Sequence, residues 1–205
     1  MAFLVPLSSS QHIFGFLSAA MTLKHQLQKA ILDDFGQHVF ARGFQPEAAR
    51  DGAFSFRRYG IERDDVIEVQ FDKFGAPKFV LNFGSIPSTG LIDSYGRFVK
   101  THDARISHLV NHGRLHRYPH SIIWFKAQDF FGIRSAQQAV AVEIERLVCL
   151  FEQVELWFET GGIGSNIKLY KDDWNAPGVR KKSMQARGKW PPEGWTPDDE
   201  KSLRL

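Results

Sequence analysis

"DVIEVQFDKFGAPKFVLNFG", residues 65–84, holds two apolar-alternating runs on either side of a turn. In the first run Val69 and Phe71 alternate with Glu68 and Gln70; in the second Phe79, Leu81 and Phe83 alternate with Val80 and Asn82. A period of two is the mark of a strand with one buried face. The intervening "DKFGAP" brings Asp72, Gly75 and Pro77 together, which is turn chemistry. Upstream, "AFSFRRY" (53–59) repeats the alternation through Phe54 and Phe56. These runs predict an antiparallel meander whose apolar face needs covering.

Two amphipathic segments can supply the cover. Thr22 is a suitable N-cap, and Leu23, Leu27, Ile31 and Phe35 follow in a helical stripe that Gly43 closes, so a helix is expected over 22–41. His38 falls near its end as a packed residue. Ser135 caps a second helix, in which Val140, Ile144, Leu147, Phe151, Val154 and Phe158 recur at steps of four and three until Gly161 and Gly162, giving 135–159. "SIIWF" (121–125) reads as a fourth strand or the lead into that helix. The expected fold is α+β: a two-layer sandwich, an antiparallel sheet of about four strands packed against two main helices.

The chain has 205 residues, 43% of them hydrophobic, which suits one domain with extensions. Its 18 phenylalanines argue against disorder in the middle. We place the domain at 22–174. Residues 1–21 are apolar and uncharged, and no basic n-region precedes the "SAA" end, so they read as an over-extended start or a disordered leader. Residues 175–205 are expected to be a flexible basic tail: seven basic residues against four acids account for the whole net charge of +3. The neutral body weakens a general nucleic-acid reading. A single cysteine, Cys149, excludes an intrachain disulfide and fits a cytoplasmic home. Its place in "LVCLF" suggests a buried, inert thiol. No apolar run approaches the roughly 18 residues needed to span a bilayer, so no membrane association is expected.

Several of these pieces occur together in a known pattern. Gly43-Phe44 ends a helix, then come "FSFRR" (54–58), "VQF" around Gln70, "FVLNFG" with Phe79, Asn82 and Gly84, then Arg105, Trp124 and a closing amphipathic helix. Over about 22–160 this resembles the bacterial family catalogued as domain of unknown function 4304. The family often has a tryptophan pair where this chain has Trp124-Phe125. The resemblance implies a small α+β fold and an accessory or interaction role. It carries no established active site, so no catalytic role passes to Gln70, Asn82 or Arg105.

"SHLVNHGRLHRYPH" (107–120) spaces His108, His112, His116 and His120 by four. On a helix that spacing stacks imidazoles on one face, where zinc is the metal to expect. Gly113 and Pro119 oppose a regular helix, Leu109 stands where a zinc-hydrolase helix needs glutamate, and Arg105, Arg114, Arg117 and Lys126 would repel a cation. A metal-dependent hydrolase on these histidines is therefore the alternative. The leading expectation is a non-catalytic binding protein. Arg105, Arg114, Arg117, Tyr118 and Trp124 would contact a protein partner with an acidic face, an immunity-like role being one form. A third expectation is a nucleic-acid accessory protein acting through the tail. "GGIGSN" (161–166) lacks the G-K-[ST] of a phosphate loop and reads as a helix stop; Ser165-x-x-Lys168 lacks the companion motifs of a serine acylase.

Overall fold

In a computed structural model, which describes residues 22–48, 53–119, 123–127, 135–193 and 195–198, the meander forms as expected. Strands β1 (Gln45–Pro46), β2 (Ala53–Arg58), β3 (Arg63–Phe71) and β4 (Lys78–Pro87) pair antiparallel in sequence order. A small hairpin follows, β5 (Leu91–Ile92) with β6 (Phe98–Val99). Then come β7 (Asn111–Leu115), β8 (Phe125–Lys126) and β9 (Ile167–Lys171). The main sheet has seven strands in the order β1-β2-β3-β4-β7-β9. β8 shares the β4 edge with β7: Phe125 lies opposite Phe79, and Leu115 opposite Leu81. The α+β class holds, but the sheet is larger than the four strands expected. β7 takes Asn111–Leu115 of the histidine stretch and a 3-10 turn takes Ile106–His108, so its described residues form no α-helix.

The first helix runs as α1 (Leu23–Ala30), a π turn (Ile31–Phe35) and α2 (Gly36–Phe40). The sequence explains the π turn. Leu27, Ile31, Phe35 and Val39 are each four apart and each fully buried. On a 3.6-residue helix such a stripe drifts by about 40° per step. One wider turn brings it back toward the sheet. α3 (Ala136–Thr160) starts at Ser135, whose hydroxyl accepts from Gln138 N, and ends at Gly161 with φ +73°, a left-handed conformation that favours glycine. Its stripe closes one core with Phe56, Ile67, Val69, Phe79, Leu81, Phe83 and Leu115 from the sheet. Cys149 falls on the solvent side of α3 and is exposed, correcting the buried thiol expected from its apolar neighbours.

The opposite face of the sheet is only partly covered. Val66 and Ile86 pack under Ala104, Ile106 and Leu109, with Leu91 and Val99 alongside. The chain between β4 and β7 thus adds a partial third layer over one end of the strands. The stretch read as a flexible tail contains helix α4 (Val179–Ala186). Its start is tied to the β5–β6 turn: Gly178 N donates to Asp93 O at 3.2 Å and Arg180 N to Ser94 O at 2.9 Å. Among the described residues no helix is long and apolar enough to cross a membrane.

Candidate binding face of the sheet

Beyond that partial cover a polar row crosses the sheet. Strand register places Ser55 opposite Glu68, Glu68 opposite Asn82, Asn82 opposite Arg114, and Arg114 opposite Lys168. All five point away from the helices, because their strand neighbours Phe56, Ile67, Phe83 and Leu115 fill the helix-side core. The row is wired by hydrogen bonds. Arg114 Nε donates to Asn82 Oδ1 at 2.7 Å, and Asn82 Nδ2 reaches Glu68 Oε1 and Gln70 Oε1 at 3.3 and 3.4 Å. Asn82 is buried between them and is oriented by both sides.

The two ends of the row differ in charge. At the β7–β9 end Tyr170 stands at the centre. The His112 ring stacks on it at 5.5 Å and 12°, while the Arg114 guanidinium and the Lys168 ammonium lie 5.3 and 5.1 Å from its centroid. Burial, with the Arg114 charge beside it, holds His112 below its ordinary pKa, against a smaller upward pull from Asp172. Among the described residues the buried Nδ1 of His112 has no hydrogen-bond partner. At the β1–β3 end the charge is mainly acidic. Glu47 accepts from Arg57 Nε at 2.6 Å and from Ser55 Oγ at 2.9 Å. Arg57 in turn binds Asp64.

The structure does not bring the sequence-derived contact residues onto one surface. Arg114 lies on the polar row. Arg105 opens the turn at 106–108, its N–H donating to His108 Nδ1 at 3.2 Å. Arg117 instead reaches α3, where it binds buried Glu143 through Nε and Nη2. Arg114 and Arg117 therefore serve opposite faces of the sheet. Tyr118 lies between Arg117 and Arg146, 5.0 and 5.5 Å from its ring centroid. Trp124 lies under the Lys78 ammonium at 4.5 Å.

Of the described histidines in 107–120, two meet at Tyr170 and His108 stands apart. His108 sits in a turn; burial lowers its pKa, helped by Arg105, Arg97 and Arg180, with Asp93 pulling the other way. His112 stacks on Tyr170, and His116 is buried with Nε2 at 3.5 Å from the Tyr170 hydroxyl. His120 lies outside the described residues. Among the described residues no three His, Cys, Asp or Glu side chains converge as a metal set. A spacing of four keeps residues on one face of a strand as well, and His112 and His116 accordingly both meet Tyr170.

Sequence reasoning missed Glu68, Lys168 and Tyr170. "NIKLYK" (166–171) does alternate Ile167 and Leu169 with Lys168 and Tyr170, so a strand signal was present. Nothing in it indicates pairing with β7, on which the row depends. The fold and face define an α+β protein with α1–α3 on one side of a seven-stranded antiparallel sheet and a charged polar row on the other. A scan against family models, a search of curated proteins and a search of solved structures each return no match.

Proposed function

We propose that this chain is a non-catalytic binding protein that recognises an acidic protein partner through the β7–β9 end of its open sheet face. The supporting observation is Tyr170 bracketed by His112, Arg114 and Lys168. Two fixed cations around an aromatic ring make a surface suited to carboxylates. Arg114 is pre-oriented by Asn82, which lowers the entropy lost on binding. A cytoplasmic accessory protein of the 4304 type, with an immunity-like role as one form, is consistent with this reading.

The test is affinity capture by the full chain from a lysate of the organism that encodes it, against the Arg114→Glu/Lys168→Glu double variant. An acidic protein should be retained by the native chain, weakened by salt and lost on charge reversal. Equal retention by the variant, or retention of nucleic acid alone, overturns the proposal.

A further inference from the structure

A second feature of the same face lies at its acidic end. A cleft of about 430 Å³ opens between β2–β3 and the turn at 102–107, within the range of small-molecule sites. Arg57, Glu68 and Gln70 contribute to its floor, Glu47 to one wall, and Arg105 and Ser107 to the other.

Arg57 is the informative residue, because it lines the cleft yet is only 1% exposed. A guanidinium carries five N–H groups. Nε binds Glu47 Oε1 at 2.6 Å; Nη1 binds Asp64 Oδ2 at 3.1 Å and Thr101 O at 2.9 Å; Nη2 binds Ala104 O at 2.8 Å. Among the described residues the second N–H of Nη2 has no partner. A buried charged donor left unpaired is unfavourable, and an acceptor oxygen entering the cleft would relieve it. Half-buried Arg105 adds a second cation at the wall. Glu68 and the exposed amide of Gln70 supply negative charge and an acceptor on the floor. Opposite charges in one enclosure select a ligand that carries both.

We propose that this cleft binds a small zwitterion of the α-amino-acid or short-peptide class. The ligand carboxylate faces Arg57 and Arg105, and its ammonium faces Glu68. The site goes beyond the partner-binding reading. It uses neither Lys168 nor Tyr170; Glu68 touches the partner reading only through Asn82, and Arg105→Gln leaves that row intact, so the two can fail separately.

The experiment is calorimetric titration of the full chain with the free amino acids and with glycylglycine, using acetate and methylammonium as single-charge controls. At least one zwitterion should bind with a Kd below about 1 mM, and both controls should bind more weakly. Glu68→Gln and Arg105→Gln, each verified as folded by its thermal melt, should each weaken that zwitterion by about tenfold or more. If no zwitterion reaches that affinity, if either control binds as tightly, or if both variants retain native affinity, the proposal is overturned.

Discussion

Arg117 grips Glu143 with two parallel hydrogen bonds, from Nε and Nη2 at 2.7 and 2.8 Å, and Glu143 is only 2% exposed. The pair ties the end of β7 to α3 beneath the core, and Arg146 adds a longer contact to the same carboxylate at 3.3 Å. A residue that looks in sequence like a docking cation is thus part of the framework. Removing one member of a buried pair strands the other charge, at a cost of about 3–5 kcal/mol. Arg146 still partners Glu143, so Arg117→Ala should fall near 3 kcal/mol in urea unfolding. Arg117→Leu combined with Glu143→Leu should recover most of that loss. Native-like stability in Arg117→Ala would show that the pair contributes little.

Gly113 lies opposite Phe83, and a Cβ built on it would meet the ring at 2.1 Å. Phe83 also packs against Trp157 at 5.0 Å and Phe158 at 5.9 Å, so its ring has little room to retreat. Gly113→Ala should therefore cost about 1–3 kcal/mol through overpacking. The clash is with one ring, so Phe83→Leu introduced into Gly113→Ala should cost less than Phe83→Leu introduced into the native chain. Strictly additive losses in that cycle would exclude this account.

The sequence revealed elements whose information is local. α3 was legible from cap to cap because Ser135, the apolar stripe and Gly161 lie within a single run. The three central strands were legible because each alternates by two. β7 was not, because Gly113 sits where a core side chain would stand and the histidine spacing imitates a helix face. The candidate site was less legible still. Ser55, Glu68, Asn82, Arg114 and Lys168 are gathered only by strand register, which is non-local. The partner that makes Arg117 structural lies 26 residues away on a helix.

His38, His108 and His112 are each held below the ordinary value of 6.5, in every case chiefly by burial. Nearby cations reinforce this: Arg42 at His38, Arg105 at His108 and Arg114 at His112. A base with a depressed folded pKa binds protons more readily once unfolded, so stability rises with pH across that window. From pH 7.5 down through 6.5 and toward the folded values, stability should fall. Chemical denaturation at steps between pH 7.5 and 5 would measure the slope. His112→Phe, which retains a ring against Tyr170, should flatten it. A curve that is level or climbs on acidification would contradict the burial assigned to these rings.

Asn175 is 5% exposed, and its Nδ2 donates to Leu109 O at 3.1 Å. That contact joins the start of the C-terminal segment to the loop that partly covers the open face. Further along, Trp195 lies 4.5 Å from Trp190 and 6.3 Å from Tyr95, with Arg97 over its ring at 5.5 Å. Composition suggested a flexible basic tail; these contacts tie its described residues to the cover. Asn175→Ala leaves a buried carbonyl without its donor and should cost about 1–3 kcal/mol. Deleting 175–205 should lower the melting temperature and speed protease cleavage within 88–110, because Asp93, Ser94 and Leu109 all lose partners. An unchanged melt and an unchanged cleavage pattern would return the segment to the status of an appendage. A deletion used to probe nucleic-acid binding through the tail must therefore be paired with Asn175→Ala, which weakens the cover while keeping every basic residue of the segment.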